Sequence, residues 1–371
     1  MDTDLQGIYD EVMQAVSAED VFGELIDLDG EKTKMQLLEE AFSRLSATAD
    51  PKNYGFSPDD AEIARDVMDR LQKFYERAKA RIADDVYGCN RRGEGFLLRG
   101  RTRFRTERRE YFMGDALVTG DLATIYEGEC VMGDEFAGKV AIKIINDPAD
   151  NDLAQNEIRT LKALHAGGGK QRKHLPTLLD NFKTDGGQVG IVLRYLEDCY
   201  DFTEVKQKYP KGVPEKHMAW MLNRLLSAIG YAHSMGILHG NIEPTHLMIL
   251  PRDHNLFILD WSYAITDPVH TGDSFKVFNP GFSAPEIEEK KPPIPSADLY
   301  SIGMCMIDIL GGDIEGKTMP VTVCEDVQRF LNFMVMTSRL QRAQDAWELH
   351  GMLKNLRRKI WGPDKFLQFK M

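Results

Sequence analysis

The chain has 371 residues, 43% hydrophobic and 28% charged, an ordinary balance for a globular protein with room for two or three domains. Its formal charge of −12, from 46 basic and 58 acidic residues, argues against general nucleic-acid binding, which needs a basic footprint. The five cysteines (Cys89, Cys130, Cys199, Cys305 and Cys324) are odd in number and form no C-x-x-C pair, against a disulfide framework or zinc site and for a reducing compartment. The acidic start Met1-Asp2-Thr3-Asp4-Leu5 has no apolar signal core, and no run of about 18 apolar residues suggests a membrane span. A cytoplasmic protein with no membrane contact is the expectation.

Residues 1–85 are rich in Glu, Asp, Ala, Leu and Lys and read as helical. Spacing predicts one helix over about 32–45, with Met35, Leu38, Ala41, Phe42 and Leu45 on one side. It predicts another over 61–82, with Ile63, Val67, Leu71 and Ala78 on a stripe thickened by Phe74 and Tyr75. Ser57-Pro58-Asp59-Asp60 supplies the start signal for the second, and the turn-rich run 49–55 joins the two. Residues 86–110 crowd together Arg91, Arg92, Arg99, Arg101, Arg103, Arg105, Arg108 and Arg109. In an extended strand Arg99, Arg101, Arg103 and Arg105 would share a face. That face is either an anion-binding strip or a solvated connector.

From about Tyr111 the pattern is mixed. Strand-like runs occur at 124–128, 139–145 and 189–195, with a helix-like run at 153–164. After Pro214 helices dominate, at 215–235, 298–310 and 327–335. A strand-rich half followed by a helix-rich half predicts an α+β chain with two lobes.

Several motifs carry chemistry. Val140-Ala141-Ile142-Lys143 ends a strand-like run, and Glu157 lies 14 residues on in a helical run. A lysine there can reach phosphate oxygens, and a helix glutamate can hold it in place. Asp260 follows the apolar run Leu256-Phe257-Ile258-Leu259, where an aspartate can hold Mg²⁺ against nucleotide phosphates. Ser283-Ala284-Pro285-Glu286, then Asp298-Leu299-Tyr300-Ser301-Ile302-Gly303, then Gln341-Arg342 follow in order. Together these resemble the V-A-I-K, D-F-G, A-P-E, D-x-x-S-x-G and late-arginine motifs of the protein-kinase superfamily over residues 111–355. The resemblance implies a bilobal fold, with a β-rich N-lobe over 111–196 and a helical C-lobe over 197–371. It also implies ATP and Mg²⁺ as cofactors. Gly120, Lys143, Glu157, Leu193, Tyr195, Leu196 and Asp260 become the nucleotide contacts, with Leu193–Leu196 as the lobe-connecting hinge and Asp260 as the metal ligand. Glu286, Arg342 and Asp298 become fold determinants, and His239 a packed structural histidine.

The pattern fails where transfer chemistry is performed. An active kinase reads H-R-D-L-K-P-x-N; this chain reads His239-Gly240-Asn241-Ile242-Glu243-Pro244-Thr245-His246. Asn241 stands where the proton-accepting aspartate would be and has no useful basicity. Glu243 reverses the charge of the loop lysine, and His246 replaces the second metal-binding residue. Gly240 replaces the arginine that would meet a phosphorylated activation loop, leaving Thr266, Thr271 and Ser274 without a receiver. In 117–126 only Gly120 of three loop glycines survives, with Val118 and Ala123 in the other places and Asp121 adding negative charge. Ser262 replaces the D-F-G glycine. The chain between Leu310 and Pro320 is short and glycine-rich, which fits a scaffold better than a substrate-processing lobe.

The N-terminal pattern is similar to a J-domain of the DnaJ type. It has a short helical run at Glu19–Ile26, then a helical pair joined by Asp50-Pro51-Lys52-Asn53. The resemblance would imply a DnaK-type chaperone as partner. The expected H-P-D tripeptide is absent, however, since the run reads Ala49-Asp50-Pro51. The resulting reading is a helical module over 1–85, a connector over 86–110 and a protein-kinase-like domain over 111–371. The expected function is that of a pseudokinase-type regulatory or scaffold protein with a protein partner. An atypical serine/threonine kinase with residual activity and a degenerate co-chaperone are the alternatives.

Overall fold

The computed structural model describes residues 5–15, 18–23, 25, 32–55, 57–83, 87, 102–106, 108–132, 135–363 and 366–371. The chain folds as two compact units: Met1–Asn151 with Thr177–Tyr195, and Asp152–Pro176 with Leu196–Met371.

The first unit begins with four helices: α1 (Leu5–Gln14), α2 (Ala18–Phe22), α3 (Lys34–Thr48) and α4 (Pro58–Ala83). The helices expected over 32–45 and 61–82 are α3 and α4; α3 starts and ends later than the periodicity marked, and α4 extends past both expected ends. Thr33 starts α3 with a capping box: its hydroxyl accepts from Gln36 N at 3.3 Å, and Gln36 Oε1 accepts from Thr33 N at 2.8 Å. The turn Pro51–Tyr54 ends α3 by supplying donors to its last carbonyls. Asn53 Nδ2 donates to Ala47 O at 2.9 Å and Tyr54 OH to Thr48 O at 2.8 Å. Ile8, Val12, Leu38, Val67, Leu71 and Phe74 form the helical core, and Phe42 stacks on Tyr75 at 4.3 Å. Thr33→Ala is expected to cost about 1 kcal/mol of local stability, read as roughly fivefold faster hydrogen exchange in the first turn of α3. Unchanged exchange there would show that the cap contributes nothing.

The same unit carries a six-stranded antiparallel sheet. Its strands are β1 (Thr102–Arg105), β2 (Glu110–Thr119), β3 (Ala123–Met132), β4 (Glu135–Ile145), β5 (Leu178–Lys183) and β6 (Val189–Arg194). The spatial order is β1-β2-β3-β4-β6-β5. Strand twist accumulates across such a sheet, and here its two edges meet through side chains. Phe104 of β1 packs on Phe182 of β5 at 4.4 Å, and Thr106 Oγ1 donates to Asp180 Oδ2 at 2.5 Å. Tyr111 OH donates to the same carboxylate oxygen at 3.3 Å. Tyr111, Cys130, Val140, Ile142, Leu179 and Val192 fill the enclosed face.

The sheet therefore begins at Thr102, inside the stretch 86–110 expected to be a connector. Arg103 and Arg105 lie on the exposed face of β1. Arg103 forks onto Glu110 at 2.6 and 2.7 Å, and that hydrogen bond holds the Glu110 carboxyl below its ordinary range. Arg91, Arg92, Arg99 and Arg101 lie outside the described residues.

The second unit is mainly helical. It contains nearly all of α5 (Asn151–Ala166), then β7 (Tyr200–Asp201), α6 (Phe202–Lys208) and α7 (Glu215–Ser234). β8 (Ile237–Leu238), β9 (Leu247–Leu250), β10 (Asn255–Ile258), β11 (Ile265–Thr266) and α8 (Pro268–Thr271) follow. α9 (Pro285–Glu288), α10 (Pro295–Ile309), α11 (Glu325–Met334) and α12 (Ala346–Trp361) complete it. α7 and α10 are largely buried and form its core.

The stretch 152–176 packs with this unit, although it falls inside the expected N-lobe 111–196. Side-chain bonds explain why. Asn156 Nδ2 donates to Ser262 O at 3.0 Å and Ala264 O at 2.8 Å, and the His174 ring meets Leu256 O at 3.1 Å. Among the described residues no helix is long and apolar enough to cross a membrane.

Candidate functional site

In the first unit, β4 places Lys143 opposite Ile125 of β3 and Ile191 of β6. Strand alternation puts it on the face opposite Ile142, away from the enclosed core. The lysine is 7% exposed. Leu193 faces Ala141 in the same pairing, so it lies on the lysine's side of the sheet. Tyr195 follows β6, with the Lys139 ammonium 5.6 Å from its ring.

Gly120 sits in the tight turn between β2 and β3, where its N–H donates to Ala123 O at 3.0 Å. Asn146 ties this turn down. Its amide donates to Gly120 O at 2.8 Å and Asp121 O at 3.0 Å, and its carbonyl oxygen accepts from Thr124 Oγ1 at 2.9 Å. A Cβ on Gly120 would meet only Ala123 O, at 3.4 Å, so the turn does not require a glycine.

The second unit holds Leu196, where its longer segment starts, together with Glu157, Asn241, Glu243, His246 and Asp260. Asp260 follows β10 in the left-handed region, φ 56°. Its Oδ1 accepts from Ser262 Oγ at 2.7 Å. The same hydroxyl lies 3.0 Å from Glu157 Oε2, and Trp261 N donates to Glu157 Oε1 at 3.3 Å. One serine proton is thus shared between two carboxylates, and Ser262 links the Asp260 segment to α5. Glu157 is 1% exposed. Trp261 is fully buried, donating to Ile258 O and packing edge-on against His239.

The loop 239–246 is built from backbone bonds. Asp298 accepts from His239 N at 2.8 Å, Gly240 N at 2.9 Å and the His233 ring at 2.9 Å. Burial alone would raise the Asp298 carboxyl; the His233 hydrogen bond and the neighbouring positive potential outweigh it and hold the carboxyl below its ordinary value. Burial pushes His239 down to about 4. Its Nε2 lies 2.9 Å from Leu259 O, a structural placement. Gly240 has φ 74°, and a Cβ there would meet Tyr263 O at 3.1 Å and the Phe275 ring at 3.4 Å. The position normally held by arginine is covered instead by Phe275 of the activation segment.

Asn241 accepts from Asn279 Nδ2 at 2.7 Å through its own Oδ1 and is 6% exposed. The residue in the base position is therefore an amide bonded to another amide. His246 Nδ1 lies 2.8 Å from Asn241 O. A carbonyl only accepts, so Nδ1 carries the proton. Nε2 is then the atom turned toward Asp260 Oδ2 at 3.4 Å and Glu243 Oε1 at 3.6 Å. The structure brings Asn241, Glu243, His246, Asp260 and Glu157 into one connected network with Ser262.

This donor set does not fit Mg²⁺. The ion demands near-octahedral oxygen ligands, and imidazole nitrogen suits softer metals. Here one Asp260 oxygen is bonded to Ser262, the other faces a nitrogen, and that nitrogen stands where a metal-binding asparagine would be. Among the described residues, no three His, Cys, Asp or Glu side chains are arranged to hold a metal ion.

Three asparagines among the contributors stand outside every motif of the sequence: Asn146, Asn156 and Asn279. A lone asparagine carries no local signal, and only Asn156, beside Glu157, had a neighbour that could have flagged it.

A protein kinase domain model matches residues 114–349. The chain is 25% identical over 225 residues to the serine/threonine-protein kinase pim-2 of Danio rerio, covering 56% of this chain and 69% of the relative. It is 25% identical over 207 residues to calcium/calmodulin-dependent protein kinase type 1 of Macrobrachium nipponense, covering 55% and 57%. It is 24% identical over 286 residues to a probable serine/threonine-protein kinase of Saccharomyces cerevisiae, covering 66% and 74%. With more than half of its length matched by the domain model, and with the Asp298 and Glu286–Arg342 anchors formed, this chain belongs to the protein kinase domain family.

Proposed function

We propose that this protein is a pseudokinase-type regulator of the cytoplasm, which binds adenine nucleotide and a protein partner without efficient phosphoryl transfer. The observation that carries this reading is Asn241. Its amide stands in the base position, is buried, and is bonded to Asn279. A positioned general base contributes roughly 10²–10⁴-fold, and an amide supplies none of it. Glu243 places a negative charge in the same loop, where a lysine would neutralise the transferring phosphate. Lys143 and Leu193, on one face of the sheet, support retained nucleotide contact. The exposed Lys52 and Asn53 at the α3–α4 turn support a role for the helical module in partner docking.

Saturating ATP is expected to raise the melting temperature of the first transition by a few degrees, and Lys143→Ala to abolish the rise. In a radiolabel assay over a broad substrate panel, incorporation at background is expected. Absence of any nucleotide-dependent shift removes the nucleotide part of the reading. Incorporation that disappears in Asp260→Ala replaces the reading with that of an atypical serine/threonine kinase.

A further inference from the structure

We infer that the adenine nucleotide binds this protein without a divalent cation, because Ser262 bonds to the carboxylate that would carry it and the His246 ring crowds that carboxylate's other oxygen. The inference rests on the nucleotide-binding reading above. It starts from two substitutions that act on the same side chain. Ser262 brings a hydroxyl to a position that offers none when it is glycine, and its Oγ lies 2.7 Å from Asp260 Oδ1. That hydroxyl also lies 3.0 Å from Glu157 Oε2, which ties it to α5. His246 brings a ring to the other carboxylate oxygen, with Nε2 at 3.4 Å from Oδ2. The ring cannot turn away without giving up its bond from Nδ1 to Asn241 O.

Each interaction alone could be displaced by a metal. Together they fill both ends of Asp260 with protein atoms, a hydroxyl bonded to Oδ1 and a ring edge 3.4 Å from Oδ2. A Mg²⁺ entering here would have to break the serine bond and accept a nitrogen ligand, or push the ring out toward Glu243. The side chains of Asp260, His246 and Glu243 are between 18% and 27% exposed, so the network is built but reachable by a ligand.

The absence of a cation has an electrostatic consequence. In an active kinase the metal neutralises charge between the aspartate and the β- and γ-phosphates. Here the Asp260 and Glu243 carboxylates stand at the phosphate end unscreened by metal. Each added phosphate then adds repulsion. The ligand class is therefore an adenine nucleotide of low phosphate charge, with ADP bound at least as tightly as ATP.

The experiment is calorimetric titration of the full chain with ATP and with ADP, in EDTA and in excess MgCl₂, repeated for His246→Asn and for His246→Asn with Ser262→Gly. The expected result for the wild type is an apparent Kd for ATP that weakens at least about tenfold in excess MgCl₂, because magnesium sequesters the metal-free nucleotide, with ADP equal or tighter in EDTA; an ATP Kd unchanged by Mg²⁺ overturns the inference. The double variant is expected to gain at least about tenfold in ATP affinity with Mg²⁺. Binding of Mn²⁺, followed by loss of the free-ion paramagnetic signal beyond that of a protein-free Mn²⁺–ATP control, is a second readout: no further loss is expected for the wild type, and further loss for the double variant. ATP binding by the wild type that requires Mg²⁺ or Mn²⁺ overturns this inference and leaves the nucleotide reading intact. No binding of either nucleotide under any condition overturns both.

Discussion

Arg342→Ala is expected to destabilise the second unit by about 3–5 kcal/mol, enough to unfold much of it near physiological temperature. Arg342 is 2% exposed and forks onto Glu286, with Nη1 to Oε1 at 2.7 Å and Nη2 to Oε2 at 3.0 Å. The same guanidinium donates to Ser296 O, Met336 O and Thr337 O, so five bonds tie four segments of chain. Removing it leaves the Glu286 carboxylate, 2% exposed, without its counter-charge, and strands those carbonyls. Arg342→Lys keeps the charge but not the fork, and should lose a smaller share. Urea unfolding followed by tryptophan fluorescence measures both, since Trp220, Trp261, Trp347 and Trp361 all belong to this unit. An alanine variant within about 0.5 kcal/mol of wild type would mean that this pair is not an anchor of the fold.

Mild acid should destabilise the same unit. Burial pushes His174 down to about 3 and His239 down to about 4, both from an ordinary value near 6.5. These rings are folded as neutral groups, while the unfolded chain takes up protons as soon as pH falls below about 6.5. The unfolded state therefore binds more protons across the window from about 6.5 down to 4 and then 3. Stability is fully present above that window and lost on acidification through it, on the order of 3–5 kcal/mol for each ring. Asp298 acts lower, since its carboxyl lies below its ordinary 3.8 and its contribution fades only in stronger acid. Urea midpoints at pH 7.5, 6.0 and 5.0 test the sign. A midpoint that rises or stays flat toward pH 5 would contradict the burial of these two rings as neutral groups. His239→Gln should flatten part of the slope while lowering stability at neutral pH.

Most of the residues behind these two effects stand in motifs legible in the amino-acid sequence alone. Glu286, Asp298 and Arg342 follow in order along the chain, and His239 opens the catalytic-loop motif. Their partners are not legible there. His174 sits in no motif, and its bond to Leu256 O joins positions 82 residues apart. The same holds for Asn279 on Asn241 and Asn146 on Gly120, where the reach is 38 and 26 residues. Periodicity marks which face of an element is buried, but it carries no information about which distant side chain completes a hydrogen bond. β1 escapes a reading of the sequence for a related reason. Thr102-Arg103-Phe104-Arg105 has one apolar residue among its charges, and its place in the sheet comes from Phe104 meeting Phe182 and Thr106 meeting Asp180.

The amino-acid sequence by itself determined the α+β class, the helical pair α3–α4, the family, and the departures at Asn241, Glu243, His246, Ser262 and the glycine loop. Those follow from residue identity and local spacing, because propensity, periodicity and the chemistry of a side chain are properties of the chain read in one dimension. Only the tertiary structure decided what the departures do to one another. It closed the sheet through Asp180, drew 152–176 to the second unit, covered Gly240 with Phe275, and set Asp260 between the Ser262 hydroxyl and the His246 ring. Those outcomes depend on ångström-scale meetings of groups far apart in sequence, which bonding and burial settle together when the chain packs.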